Sequence, residues 1–127
     1  MAHKKTVGEE YPHRGEVYLV NFDPSIGAEI KKTRPALIIQ NDVANEHSPV
    51  TIVAAITSAV VGKSYPTEIS LKLGEGGLDR SSVVLLNQLR TIDRSRLVKK
   101  LGAVDADVLA RVDLALRLSL GLARELR

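Results

Sequence analysis

The segment KTRPALII, residues 32–39, places a guanidinium directly before a short apolar run. The apolar run is typical of a buried β-strand, so Arg34 is predicted at the mouth of that strand. A second apolar run, VTIVAAI over residues 50–56, is followed directly by Thr57 and Ser58. A guanidinium fork matches two phosphate oxygens and a hydroxyl can meet a third, so an arginine beside these hydroxyls would form a phosphate-binding arrangement.

The composition is that of one globular domain. The chain has 127 residues, of which 44% are hydrophobic and 26% charged. It has no cysteine, which excludes disulfides and thiolate metal sites and favours a cytoplasmic location. No apolar run reaches the roughly 18–20 residues that a membrane span needs. Net charge of +3 permits an anionic partner, but three tyrosines and one phenylalanine argue against an aromatic base-stacking platform.

Short apolar or β-branched runs alternate with turn signals along most of the chain, and each run predicts a strand. The polar segment 41–48 is predicted as a helical turn or a loop, and 59–66 as a mobile loop. The fifth strand is expected to bend and to continue through Ile92. The predicted strands are Glu16–Phe22, Pro35–Gln40, Val50–Thr57, Thr67–Leu73, Ser82–Gln88 and Leu97–Leu101.

The end of the chain changes to a helical period. Asp105 is a plausible N-cap, and an apolar stripe of spacing four follows it, which predicts a helix of about four turns from 105 to 122. The stripe consists of Val108, Val112, Leu116 and Leu120. The chain is therefore predicted to be α+β and mostly β, a small barrel of short strands with a long C-terminal helix. We expect a flexible N-terminal tail over 1–13 and a single domain over 14–127.

Several kinds of chemistry are poorly supported by the residues. The three histidines, His3, His13 and His47, have no paired spacing on any predicted element, so we expect no metal site and no cofactor. No G-x-S-x-G motif and no Walker or Rossmann phosphate loop is present. What remains is a set of polar side chains where strands meet loops, the usual place for functional groups on a rigid scaffold.

Each of these side chains also has a purely structural interpretation. Arg34 could be a surface cation paired with Glu29, and Thr57 and Ser58 could cap the end of their strand. Gln88 could be a hydrogen-bonded residue at a strand edge. Taken singly, the residues leave the structural and the functional interpretations open.

The order and spacing of seven sequence blocks closely resemble the MazF/PemK family of toxin ribonucleases, from about Arg14 to Leu122. The blocks are Arg14–Tyr18, Asp23-Pro24 with Gly27–Glu29, Lys32–Pro35, Gln40–Asp42, Ala55–Ser58, Ser82–Gln88 and Arg90–Asp93. The resemblance implies a compact SH3-like barrel with helices that acts as a homodimer. It also implies a sequence-specific, metal-independent endoribonuclease that cleaves single-stranded RNA, typically mRNA, and a cognate MazE-like antitoxin.

The resemblance also implies roles for individual residues. Arg34 and Thr57 match the catalytic pair of the family, and Glu29 carries over as a third catalytic candidate. Further positions match residues that contact RNA, although these positions vary among members and the cleavage sequence does not carry over. They are Ser58, Tyr65, Pro66, Ser82, Asn87 and Gln88.

The chemistry assigns tasks to the catalytic candidates. RNA can be cleaved by attack of its own 2′-OH on the adjacent phosphorus, which gives a 2′,3′-cyclic phosphate and a 5′-OH and needs no metal. Arg34 stays charged at physiological pH, so it suits stabilisation of the phosphorane and not proton abstraction. Thr57 can donate a hydrogen bond to a non-bridging oxygen. Glu29 is the one carboxylate that we can place nearby as a base.

Two other function classes remain as alternatives. Gyrase-poisoning toxins are similar in fold and dimeric, but they bind a topoisomerase and need no Arg/Thr pair at the strand ends. A small barrel that binds RNA without cleaving it is the third possibility.

Overall fold

Short strands make up most of the fold. The structure is a computed structural model that describes residues 11–22, 33–58 and 65–123. Its described elements are β1 (Glu16–Asn21), β2 (Thr33–Ile38), α1 (Asp42–His47), β3 (Val50–Ser58), β4 (Glu68–Leu71), β5 (Ser82–Asp93), β6 (Leu97–Ala103) and α2 (Ala106–Ser119). All the predicted strands and the C-terminal helix are present, and the segment predicted as a helical turn or loop is the helix α1.

The strands form one antiparallel sheet in the order β4-β5-β3-β2-β1-β6. The mostly-β class with one long C-terminal helix is confirmed. Closure into a barrel is wrong for the described strands, because β4 and β6 are edges that do not pair. A 3₁₀ turn, Glu75–Gly77, lies against β6 instead: a Cβ on Gly77 would overlap the Leu101 carbonyl oxygen. The backbone of this turn therefore packs against β6, where a closed barrel would have a neighbouring strand.

Side chains of the sheet alternate between two apolar clusters, as the two-residue period of strands requires. One cluster lies between the sheet and α2, where Val108, Val112 and Ala115 meet sheet residues such as Leu37 and Leu86. The second cluster lies on the other face. Its buried members are Val20, Ala36, Ile38, Val53 and Ile92. Helix α2 therefore covers one face of the sheet, and the second cluster lies on the opposite face.

The N-terminus of α2 is capped as predicted. The Asp105 side chain accepts a hydrogen bond from the Val108 amide at 2.9 Å. The predicted apolar stripe is buried at Val108 and Val112 and partly buried at Leu116. Leu120 is 56% exposed, because the helix ends at Ser119 and Leu120 no longer faces the sheet.

The connection between β2 and β3 contains a buried polar network that the sequence did not reveal. The Asn45 side chain on α1 is fully buried. Its amide donates to the Gln40 carbonyl at 2.9 Å, and its oxygen accepts from the Thr51 hydroxyl at 2.7 Å and from the Gln40 side-chain amide at 3.0 Å. These bonds hold α1 against the ends of both strands, because a buried amide without partners would be costly.

Strand β4 is shorter than predicted. The two-residue alternation of Ile69, Leu71 and Leu73 predicts that all three share the buried face. Ile69 and Leu71 are buried, but Leu73 is 67% exposed. The Glu75 carboxylate accepts a hydrogen bond from the Lys72 amide at 2.8 Å, and Gly74 has a φ of 94°. The chain has therefore already turned at Leu73, so the alternation of the strand no longer applies.

The predicted tail over 1–13 falls mostly outside the described residues. Of its last residues, Pro12 is buried and the Tyr11 ring stacks on His13 with centroids 4.7 Å apart. The division into a tail and a domain stays a prediction. Within the described ranges, no helix is long and apolar enough to cross a bilayer.

Candidate active site

A cleft of about 570 Å³ opens where β2, β3 and β5 approach the connection between β4 and β5. The residues that line it are Arg34, Pro35, Ala55, Ile56, Thr57, Ser58, Leu78, Asp79, Arg80, Ser82, Leu85 and Gln88. The structure therefore brings together five of the predicted site residues, which are Arg34, Thr57, Ser58, Ser82 and Gln88.

The predicted catalytic pair comes from the neighbouring strands β2 and β3. Ala36 on β2 lies opposite Ala55 on β3 in the last pair of their antiparallel ladder. Arg34 precedes Ala36 by two residues and Thr57 follows Ala55 by two, and both residues line the cleft. Residues two apart on a strand point to the same face. Both side chains are exposed, so the guanidinium and the hydroxyl are available to one ligand in the cleft.

An irregularity in β5 brings Gln88 to this cleft. Ala55 lies opposite Leu85 whereas Ala54 lies opposite Leu89, so Leu86–Gln88 form an extra segment of β5 that has no partner in β3. The Leu86 amide donates instead to the Thr67 carbonyl at 2.9 Å. This bulge is the predicted bend, and the strand continues through Asp93. Its effect is to offset Gln88 from the regular ladder.

Three of the predicted RNA-contacting residues are not among those that line the cleft. Asn87 is exposed on the bulge, and Tyr65 and Pro66 are exposed just before β4. Their contact with RNA stays a prediction. The same holds for the third catalytic candidate, Glu29, which lies outside the described residues.

The connection before β5 contributes a cation that the sequence reasoning missed. Arg80 lines the cleft and its guanidinium lies 3.3 Å from the exposed Asp79 carboxylate. Ser82 is 3% exposed, and its hydroxyl donates to the Arg80 carbonyl at 3.0 Å. This hydroxyl therefore fixes the backbone that carries Arg80. A cation shortly before an apolar strand, a signal similar to the one that identified Arg34, could have found Arg80, which two serines separate from the run Val83–Leu86.

The charge of the lining is mixed but favours an anion. Among the described residues, the lining has two cations, Arg34 and Arg80, and one carboxylate, Asp79, and the hydroxyls of Thr57 and Ser58 add hydrogen-bond donors. Among the residues that the structure describes, no group of three or more His, Asp or Glu side chains could hold a metal ion. Phosphate is the ligand that this combination of forked cation and hydroxyls fits.

Comparison with known proteins shows the family to which the chain belongs. Residues 13–120 match the PemK-like, MazF-like toxin family of type II toxin–antitoxin systems. The endoribonuclease EndoA of Bacillus subtilis (strain 168) is 43% identical over 109 residues, which cover 86% of this chain and 94% of EndoA.

Solved structures of MazF also resemble this chain. MazF from Deinococcus radiodurans is 35% identical, with a TM-score of 0.69 over 87% of this chain and 97% of that chain. The MazE–MazF complex from Deinococcus radiodurans includes a chain that is 31% identical, with a TM-score of 0.68 over 89% of this chain and 98% of that chain. The protein described here therefore belongs to the PemK-like, MazF-like toxin family of type II toxin–antitoxin systems.

Proposed function

We propose that this toxin is a sequence-specific endoribonuclease that cleaves single-stranded RNA, typically mRNA, without a metal ion. The class of enzyme follows from the family: the chain is an endoribonuclease of the MazF/PemK type. The observation that supports the finer proposal is that Arg34 on β2 and Thr57 on the neighbouring strand β3 line the same cleft.

The proposed reaction is attack of a ribose 2′-OH on the adjacent phosphorus. The O–P bond to the 2′ oxygen forms, the bond to the 5′ oxygen breaks, and the products carry a 2′,3′-cyclic phosphate and a 5′-OH. Arg34 binds the phosphate oxygens, stabilises the charge of the phosphorane and can protonate the leaving 5′ oxygen. Thr57 donates to a non-bridging oxygen. RNA supplies its own nucleophile, so the reaction needs no metal-bound water.

Proton abstraction from the 2′-OH is proposed for Glu29. A guanidinium is a poor base because it holds its proton at physiological pH. Replacement of Glu29 with Gln should therefore flatten the acid limb of the rate profile, since the variant has no carboxylate to titrate there.

The RNA strand is proposed to lie along the cleft and its rims. Ser58 and Gln88 face the cleft directly, and Ser82 supports the backbone at Arg80. Tyr65, Pro66 and Asn87 would contact nucleotides beyond the cleft.

A homodimer and a MazE-like antitoxin complete the proposal. One of the Deinococcus radiodurans structures that resemble this chain is a complex of MazF with MazE. An acidic antitoxin segment would suit a toxin of net charge +3 and a cleft lined by Arg34 and Arg80. The cytoplasm, where mRNA is found, is the proposed location.

The proposal is tested by cleavage of a long RNA in EDTA. Wild type should cleave, Arg34→Ala should lose about 100- to 1,000-fold in rate, and Thr57→Ala roughly 10- to 100-fold. Arg111→Ala, which removes an exposed cation from α2, is the matched control and should cleave like wild type. Sequencing the 5′ ends of the fragments gives the cleavage sequence.

Four results would contradict the proposal. Full activity of Arg34→Ala would show that cleavage does not need Arg34, and loss of wild-type activity in EDTA would show that cleavage needs a metal ion. Trapped gyrase–DNA complexes with intact RNA would support the gyrase alternative instead. Tight binding of RNA without products would support the non-catalytic RNA-binding alternative.

A further inference from the structure

A second cavity, of about 250 Å³, continues the cleft beyond Arg34. Both cavities are lined by Arg34, Pro35, Ala55, Ile56 and Gln88. The second cavity adds Phe22, Leu89 and Arg90. A ligand whose phosphate sits at Arg34 could therefore place its neighbouring group in this second cavity.

Phe22 and Arg90 form a stacked pair at this cavity. The guanidinium carbon of Arg90 lies 5.0 Å from the centroid of the Phe22 ring, within the range of a cation–π contact. Phe22 is partly buried and packs against the second apolar cluster of the sheet. Arg90 is exposed on β5, after the bulge. The ring is therefore held by the core, while the guanidinium plane is open to solvent.

The lining chemistry selects for a flat, partly apolar group attached to an anion. Among the residues that the structure describes, no carboxylate lines this cavity, and the polar side chains there are Arg34, Arg90 and Gln88. Single-stranded RNA is bound in this manner: unstacked bases lie on aromatic rings or on guanidinium planes, and amide side chains bond their edges. A nucleotide presents all three groups at once, since its base is flat, its edge is polar and its phosphate is anionic.

We infer that the pair of Phe22 and Arg90 is a nucleobase subsite for a nucleotide next to the phosphate held by Arg34. The inference rests on the proposed function and deepens it. It also modifies the expectation from composition: aromatic residues are too few for an extended stacking platform, but the single phenylalanine supports the exposed Arg90 guanidinium, on which one base can stack. Gln88 lines both cavities, so its side-chain amide can form hydrogen bonds with the edge of that base.

The test combines changes in the protein with changes in the RNA. A short RNA with the mapped cleavage sequence is made with an abasic nucleotide at one position at a time. In wild type, the abasic change at the stacked position should lower kcat/KM by roughly 5- to 100-fold, the size of one base–aromatic stack. In Phe22→Leu, the intact RNA should show that loss already, and the abasic change at the same position should add little.

Two further variants provide a second test of the subsite and a control. Arg90→Gln removes the guanidinium plane from an exposed position and should show the same loss at the same nucleotide, even if Phe22→Leu folds poorly. Tyr11→Leu removes an aromatic ring that stacks on His13 and does not line the cleft, so it should retain the full abasic penalty. Equal abasic penalties in wild type, Phe22→Leu and Arg90→Gln at every position would overturn the inference.

A binding measurement separates this inference from the proposed function. An oligonucleotide with 2′-O-methyl riboses, which has no 2′-OH to attack, carries 2-aminopurine, whose fluorescence falls when it stacks. Wild type should quench it and Arg90→Gln should quench it several-fold less. If wild type cleaves RNA but both proteins quench equally, the subsite is wrong and the function stands. If wild type quenches more but cleaves no RNA, the function is wrong and the subsite stands.

Discussion

Arg34 is placed to act through the shape of its guanidinium as well as through its charge. It is exposed at the cleft, so little of the fold depends on it. A planar fork can bind two phosphate oxygens at once, whereas an ammonium is a point charge. A substitution that keeps the charge but removes the planar fork therefore distinguishes binding of the phosphorane from general electrostatic attraction of RNA.

We therefore expect Arg34→Lys to lose activity although its charge is kept. The rate of RNA cleavage should fall roughly 10- to 100-fold, the size of one lost hydrogen bond to a charged group. The urea midpoint should stay at the wild-type value. Arg111→Lys is the control and should change neither quantity. A fully active Arg34→Lys would mean that charge alone is required.

Asn45 is a second residue whose role follows from burial. We expect Asn45→Leu to lower the free energy of unfolding by about 2–4 kcal/mol, because the Thr51 hydroxyl and groups of Gln40 would lose a buried partner. Urea unfolding measures this change. Val43→Ala on the same helix is 73% exposed and should stay within about 0.5 kcal/mol of wild type. Equal midpoints for both variants would show that the network contributes nothing.

Among the elements, β5 has the largest influence on the cleft. Its first part pairs with β4 and β3, and its last part pairs with β3 after the bulge at Leu86–Gln88. A regular ladder would alternate side chains without interruption. The bulge breaks that alternation, so Leu85 and Gln88, although three residues apart, can both line the cleft.

The 3₁₀ turn at Glu75–Gly77 gives a prediction at this scale. Gly77→Ala should destabilise the protein by about 2–5 kcal/mol, because a φ of 78° strains an alanine and its Cβ would overlap the Leu101 carbonyl on β6. Gly74→Ala is the matched control, with a φ of 94° and open space around the Cβ, and should cost only about 1–2 kcal/mol. Thermal unfolding compares the two. Equal losses of stability in the two variants would mean that Gly77 is not in close contact with β6.

At the scale of the whole molecule, the sheet is open and the cleft is small. A cleft of about 570 Å³ with one adjoining cavity can hold only a few nucleotides, so recognition of a longer sequence needs more surface. A second copy of the chain would supply it. Several large apolar side chains, Val98, Leu114 and Leu120 among them, are also exposed on the single chain.

We expect the toxin to sediment as a dimer. Analytical ultracentrifugation at micromolar concentration should give twice the 13.8 kDa mass of the chain, and dilution should lower the activity once the dimer dissociates. A mass of 13.8 kDa together with undiminished, sequence-specific cleavage would contradict this.

The sequence by itself determined what depends on spacing within one element. The alternation of apolar residues gave the strands, the spacing of four and Asp105 gave α2 and its cap, and a cation before an apolar run located Arg34. The tertiary structure alone decided what depends on which strands are neighbours and in what register. The cleft position of Arg80 and the contact of Phe22 with Arg90 join residues distant in sequence, and the burial of Asn45 depends on how α1 packs against the ends of β2 and β3. No local period encodes such contacts, because one shift of register moves every side chain that follows it.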